Sequence, residues 1–333
     1  MNLMEIGEFA FIENLRKKYQ PNDLDILKGI GDDTAVFLKE NDTALLLTTD
    51  MFIENIHFRI SDISPEDLGF KSLSVNLSDI AAMGGIPKNV FVSLAIPEKI
   101  NYEFINNFYR GMDELIKQFN LSLIGGDTNF SRNDFVINIV ITGVAKKDEI
   151  LYRDGAKVKD KILVTGYLGD SSCGLDVCNG KLKFNSNYEK YFRNALIRPK
   201  PQINEGKIIA ESKIANSMID LSDGIASDLR HICLQSGVGA VIFENLIPYS
   251  DFMKDISRSK NVSALDYALY GGEDYCLLVT VSPECKNELY DVFSSKINTP
   301  LFEIGEIVKG DNIEIVLNSG ERKVISKMGF QHF

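Results

Sequence analysis

Tryptophan is absent from this 333-residue chain, histidine occurs three times and cysteine five times. The cysteines form no CxxC pair, Cys173 and Cys178 being separated by four residues, so a zinc site is not expected. They read instead as reduced, mostly buried thiols of a cytoplasmic protein. Basic residues are also in short supply, 36 against 47 acidic ones, a net charge of −11. That balance argues against nucleic acid as a main partner, because binding a phosphate backbone needs clustered lysine and arginine. No apolar run approaches the roughly 20 residues of a membrane-spanning helix. The opening stretch Met1–Glu5 lacks the basic-then-apolar layout of a signal peptide. The phosphate-loop signature G-x-x-x-x-G-K-[ST] is missing, since Gly180-Lys181 and Gly206-Lys207 are followed by Leu182 and Ile208. No G-x-G-x-x-G occurs either. A P-loop kinase and a dinucleotide oxidoreductase are therefore disfavoured.

What is present is a 44% hydrophobic, 25% charged composition able to bury a full core, over a length that suits about two domains. Helical and strand patterns alternate throughout, which predicts an α/β (α+β) fold. Apolar Phe9, Ile12 and Leu15 predict a helix over 5–18. Strands are expected at 34–38, 44–49, 89–96, 121–124 and 135–145, with an amphipathic helix at 102–118. Ser64-Pro65-Glu66-Asp67 is a strong helix start, with serine as N-cap, proline at the first position and acids in the first turn. That helix should run to about Met83 and stop at Gly84-Gly85. The polar, turn-rich stretch 146–160 marks a boundary between domains 1–148 and 149–333. Beyond it, strands are expected at 161–165, 217–221, 238–243, 275–281, 301–308 and 313–317, and helices at 203–212 and 225–236.

The acids fall at particular places. Asp32-Asp33 precede a strand, Thr48-Thr49-Asp50 are read as ending one, and Gly125-Gly126-Asp127-Thr128 as ending another. Asp79 stands on a helix that is otherwise small or apolar, Asp220 and Asp223 lie between strand and helix, and Gly271-Gly272-Glu273-Asp274 opens a strand. Aspartates at strand ends also cap turns. Strand ends, however, are where α/β folds gather ligands, and an aspartate on an apolar helix is costly to bury unless paired or metal-bound. Lys71, eight residues upstream of Asp79, is too far along the helix for a local ion pair. Six such motifs with serine and threonine oxygens alongside suit several Mg²⁺ ions, which prefer carboxylates, water and substrate phosphates. Acids on their own repel a polyphosphate and bind one only through bridging cations. The N-terminal 150 residues carry a net −9 and the remainder −2, and Asp33, Asp50, Asp79, Asp127 and Asp32 contribute much of that imbalance.

The ordered stretches GIGDDTAV (29–36), TTDMFIENIHF (48–58), KSLSVNLSDIAAMGGIP (71–87), IGGDT (124–128), RDGAKVKD (153–160), VTGYLGDSSCGL (164–175), IDLSDGIASDLRHI (219–232), GGEDY (271–275) and MGFQHF (328–333) resemble the thiamine-monophosphate kinase family of the aminoimidazole-ribonucleotide-synthetase-like superfamily. The resemblance covers nearly the whole chain. It implies an N-terminal mixed-sheet domain that dimerises, a C-terminal α/β domain, and ATP-dependent in-line phosphorylation of thiamine monophosphate without a phosphoenzyme. By matching position it implies metal ligation by Asp33, Thr48, Thr49, Asp50, Asp79, Asp127, Asp220 and Asp223. Gly126, Asp127, Arg153 and Ser222 would contact ATP, and His57, Glu273 and Phe330 would contact thiamine monophosphate. Partners would be these two substrates and a second copy of the chain, with no nucleic acid and no membrane.

Two positions depart from the family pattern. The tail reads Gly329-Phe330-Gln331-His332-Phe333 rather than tryptophan or tyrosine followed by Asp-His-Phe, which keeps a stacking face without its polar edge. The first motif carries Thr34 in place of alanine or cysteine. The alternatives are another ATP-using superfamily member, such as aminoimidazole ribonucleotide synthetase, and a nucleotide- and metal-binding module without turnover. Selenophosphate synthesis fits less well, because no cysteine precedes Cys173.

Overall fold

The structure, a computed structural model, describes residues 3–40, 42–260 and 262–329. Strands β1 (Ile26–Lys28), β2 (Ala35–Leu38), β3 (Thr43–Ile53), β4 (Ile86–Pro97), β5 (Ser122–Ser131) and β6 (Val136–Lys146) form one sheet. Its order is β1-β2-β3-β6-β4-β5, with β4 and β5 parallel and the other pairs antiparallel. Period-two patterning sets its faces: Ala44, Leu46, Ile137, Ile139 and Ile141 turn into the core, while their strand neighbours stay partly exposed.

Strands β7 (Lys161–Thr165), β8 (Ala215–Asp220), β9 (Gly239–Phe243), β10 (Leu277–Val281), β11 (Leu301–Val308), β12 (Ile313–Val316) and β13 (Arg322–Val324) form the second sheet. The order is β13-β12-β9-β11-β7-β10-β8, antiparallel except between β9 and β12. β10 is buried on both faces, which is why LLVTV shows no polar alternation and its one hydroxyl, on Thr280, is paired with Ser217 at 2.7 Å.

The helix Pro65–Ala82 lies between the sheets, contacting β3, β4 and β6 on one side and β8 on the other. Ser64 caps it by accepting the N–H of Asp67 at 3.1 Å. Because it is covered nearly all round, its sequence is small and apolar rather than striped. Small residues also permit close crossings: a Cβ at Gly206 on the helix Ile203–Ser212 would stand 2.0 Å from the carbonyl oxygen of Ala81. One apolar cluster runs from the first sheet through this helix to Met218, Leu277, Leu289 and Phe293, so the two sheets share a core. The opposite face of the second sheet packs Ile162, Ile219 and Leu278 on Leu229 and Ile232 of the helix Ile225–Ser236. The five cysteines are free, with Cys173, Cys233 and Cys276 buried.

Several expectations change. Neither Thr48-Thr49-Asp50 nor Gly125-Gly126-Asp127 ends a strand: β3 continues to Ile53 and β5 runs from Ser122 through the glycines to Ser131. An edge strand tolerates this glycine pair because a bulge at Ile124 shifts its register, and a Cβ at Gly126 would sit 1.8 Å from the Val92 carbonyl oxygen. Gly125-Gly126-Asp127 thus lies in a strand, whereas Gly271-Gly272-Glu273 lies in a loop. The expected helix over 5–18 is interrupted at Gly7, whose φ is 76°. Helices at Asp170–Cys178 and Ser186–Ile197 add to those expected.

Candidate functional site

Five backbone segments deliver acids to one place. The loop before β2 brings Asp32 and Asp33, β3 brings Thr48 and Asp50 on one face, and the central helix brings Asp79. The end of β8 and the turn after it bring Asp220 and Asp223. Carboxylate oxygens of Asp33, Asp79 and Asp220 all lie within 4.8 Å of one another. Thr48 Oγ1 donates to Asp79 Oδ2, and Ser78 Oγ donates to Asp220 Oδ2 at 2.6 Å.

Electrostatics follow from this crowding. Burial, reinforced by neighbouring carboxylates, pushes Asp33, Asp50, Asp220 and Asp223 up to about 6, and Asp79 well above the usual carboxylate range. Asp33 Oδ2 is buried and has no hydrogen-bond partner among the described residues. Arg153 offsets part of this charge: its Nη2 donates to Asp33 Oδ1 at 2.6 Å, and Asp32 accepts its backbone N–H at 3.3 Å. Lys28 Nζ lies 3.0 Å from Asp32. Converging hard oxygens with an orphaned acceptor and no thiolate or imidazole among them suit hard cations.

The acids form a wall between two cavities. Asp50, Asp79, Asp220, Ser222 and Asp223 border both. The larger cavity, about 1270 Å³, also has Lys28, Arg153 and the aromatic rings of Phe9, Tyr19 and Phe37 on its walls. The smaller, about 320 Å³, has His57, Phe52, Glu273 and Tyr275. His57 is turned by its own strand end, its Nδ1 accepting the Ile53 N–H at 3.0 Å. Glu273 and Tyr275 hold left-handed φ values of 67° and 48°, conformations that persist only where surrounding structure enforces them. Here the Glu273 N–H donates to Ser222 O at 2.7 Å and the Tyr275 N–H to Leu221 O at 2.8 Å, stitching the two loops together.

Not every expected residue joins this wall. Thr49 alternates to the other face of β3, where its hydroxyl accepts from Asn138 Nδ2 at 2.9 Å, although the residue still borders the larger cavity. Gly126 and Asp127 lie on the exposed edge strand β5. The cross-strand row runs Asp50, Ile139, Val92, Gly126; three strand spacings put Gly126 about 14 Å from Asp50. Asp127 there accepts from the Thr128 N–H and Asn129 Nδ2 at 2.8 and 2.7 Å. Phe330 lies outside the described residues. Its neighbour Gly329 donates its N–H to Ser227 Oγ at 2.9 Å, and a Cβ there would meet the Asp223 carbonyl oxygen at 1.9 Å.

Other contributors escape sequence reasoning. Asp228 is buried and accepts the Asp223 N–H at 3.1 Å, so it orients the Ser222–Asp223 turn. Its only sequence signal is an acid in a first helical turn. Lys71, 3% exposed, pairs with Glu273 Oε1 at 2.8 Å; a lysine on an otherwise small, apolar helix was the available clue. His231 borders the larger cavity with its ring 4.8 Å from Phe9, and burial followed by Arg153 pushes it down to about 3.

Residues 31–145 match the AIR synthase related protein N-terminal domain and residues 157–318 the corresponding C-terminal domain. The thiamine-monophosphate kinase of Buchnera aphidicola (subspecies from Acyrthosiphon pisum) is 37% identical over 99% of this chain and 100% of its own. That of Bacillus subtilis is 36% identical over 92% and 93%. Among solved structures, AaThiL complexed with AMPPCP and TMP superposes with a TM-score of 0.87 at 32% identity, covering 100% of this chain and 99% of that one. The chain belongs to the AIR synthase related family and, within it, to the thiamine-monophosphate kinases.

Proposed function

We propose that this protein transfers the γ-phosphoryl group of ATP to thiamine monophosphate, giving thiamine diphosphate and ADP. The observation that carries the reading is one acid wall shared by two cavities, so that two phosphate-bearing substrates meet end to end across it. ATP belongs in the larger cavity, where Arg153 offers a planar fork to phosphate oxygens and Ser222 a hydroxyl. Thiamine monophosphate belongs in the smaller, with His57 and Glu273 on its walls, and Phe330 keeps the substrate-contact role that the family resemblance implies. Relatives of these lengths and identities carry that kinase name, and AaThiL was solved with AMPPCP and TMP.

Asp33, Thr48, Asp50, Asp79, Asp220 and Asp223 would hold several Mg²⁺ ions, with Thr49 from its position beside the cavity. Mg²⁺ supplies neutralisation of the phosphate charge and a template for in-line geometry. The chain's own residues do the rest. Thr48 and Ser78 orient the carboxylates of Asp79 and Asp220, Asp228 orients the turn carrying Asp223, and Arg153 restrains Asp33 until phosphate takes its guanidinium. Direct transfer needs no protein nucleophile, so positioning and electrostatics carry the rate.

Two domains, 1–148 and 149–333, are supported by the separate sheets, which span 26–146 and 161–324. A homodimer is supported by the edge strand β5, whose Leu123, Ile124 and Phe130 are 44%, 56% and 72% exposed. Gly126 and Asp127 keep their nucleotide and metal roles in this reading, reaching a site in the paired assembly. No helix among the described residues is long and apolar enough to cross a membrane, which accords with a cytoplasmic enzyme.

Chromatography of a reaction holding ATP, Mg²⁺ and thiamine monophosphate tests the proposal, with equal amounts of thiamine diphosphate and ADP expected. Loss of ATP without thiamine diphosphate would overturn it in favour of another ATP-using activity. Tight nucleotide binding with no turnover would overturn it in favour of a non-catalytic module.

A further inference from the structure

The central helix carries a buried cation that the acid wall does not use. Lys71 is 3% exposed, and its ammonium lies 2.8 Å from Glu273 Oε1. A buried ammonium requires a counter-charge, and the pair joins the helix to the strained loop that opens into the smaller cavity. Lys71, Val75 and Asp79 follow one another at i, i+4 and i+8 and so share one helix side. Val75 and Asp79 both border the smaller cavity, as does Glu273. Eight residues span about 12 Å of helix axis. One helix side therefore runs along this cavity from the acids, past Val75, to the Lys71–Glu273 pair.

We propose that Lys71 is a positioning residue: it holds the Glu273 carboxylate as a fixed acceptor in the wall of the smaller cavity and so selects a substrate presenting a ring amino group there. The proposal rests on the reading of that cavity as the thiamine monophosphate site. The Glu273 backbone is set by its bond to Ser222 O and its left-handed φ; Lys71 sets the other end of the side chain. A carboxylate paired with an ammonium presents acceptor oxygens and no donor. It pairs with an aminopyrimidine N–H and repels the analogue bearing oxygen in place of that amino group, leaving two acceptors facing each other.

The test measures kcat and KM of the full-length enzyme for thiamine monophosphate and for the analogue with oxygen replacing the pyrimidine amino group. Lys71→Met is expected to raise KM for thiamine monophosphate roughly 30-fold, with kcat held within about threefold, and to lower the amino-over-oxygen preference in kcat/KM at least about tenfold. Lys71→Arg should restore much of the preference. In a Glu273→Gln background, Lys71→Met should change little more, because the two act as a unit. An unaltered preference in Lys71→Met, a fall in kcat with preference intact, or additive effects in the double variant would each overturn the proposal. Should Lys71→Met not fold by circular dichroism, a wild-type preference in Glu273→Gln overturns it alone. Wild-type enzyme that does not phosphorylate thiamine monophosphate overturns the functional reading instead.

Discussion

Carboxylates at the scale of single residues are working against the fold. Asp33, Asp79 and Asp220 bring oxygens within 4.8 Å of one another in a largely buried setting, where like charges repel with little screening. Removing one charge relieves that repulsion and, on the proposed reading, removes a metal ligand. Asp79→Asn keeps an acceptor for the Thr48 hydroxyl, so the metal-free variant is expected to melt a few degrees higher than wild type, on the order of 2 °C per kcal/mol relieved. Its kcat should fall at least about 100-fold, the scale on which a preorganised charge contributes. Calorimetry and steady-state kinetics check the two together; a less stable variant with intact kcat would contradict the assignment. Asp33, Asp50, Asp79, Asp220 and Asp223 were legible in the sequence because acids next to glycines and on an apolar helix are chemically out of place. Lys71 and Asp228 were not, since their importance lies in partners 202 and five positions away.

At the scale of elements, the helix Pro65–Ala82 is the organising piece. It carries Asp79 and Ser78 to the wall because it is gripped from two sides. The grip needs small residues, and Gly206→Ala tests it: the added methyl would stand 2.0 Å from the Ala81 carbonyl oxygen, which neither backbone can yield easily. Loss of about 3 kcal/mol of stability by denaturant titration is expected, and a neutral outcome would show the two helices free to separate. The helix start was readable from Ser64-Pro65, and its burial from the lack of a polar stripe. The course of β5 was not readable, because glycines normally punctuate a strand, and here close packing against β4 and a bulge keep the chain extended through them.

Charge and assembly act on the whole molecule. Asp32, Asp33, Asp50, Asp220 and Asp223 are pushed up to about 6, burial being the first cause in each. A carboxyl whose folded value exceeds its unfolded one stabilises the fold below about pH 4, and that contribution is lost as pH rises through about 6. His231, lowered to about 3, works the other way, its contribution falling as pH drops below about 6.5. Mg²⁺ isolates the acids: millimolar Mg²⁺ is expected to raise the melting midpoint clearly at pH 8 and hardly at pH 5, where protons already occupy them. Equal shifts at both values would argue against a carboxylate metal site. Phe130→Glu places a charge on the exposed edge of β5, and if the chain pairs through β5 as proposed, sedimentation is expected to show a wild-type dimer and a monomeric variant; a monomeric wild type, or a dimer that survives the substitution, would contradict pairing through this edge.

The sequence by itself determined the chemical character of the candidate site: carboxylate and hydroxyl oxygens without thiolate, imidazole clusters or a phosphate loop, set among alternating helices and strands, with motifs that name a family. Those properties are local, written in residue type and spacing. Only the tertiary structure decided that acids from a loop, two strands, a helix and a turn form one wall between two cavities, that Gly126 and Asp127 stand apart on an edge, and that Lys71 meets Glu273. The physical reason is that a buried charge takes whatever partner the packing of whole elements brings to it, and packing of a helix between two sheets is not written in any one stretch of chain.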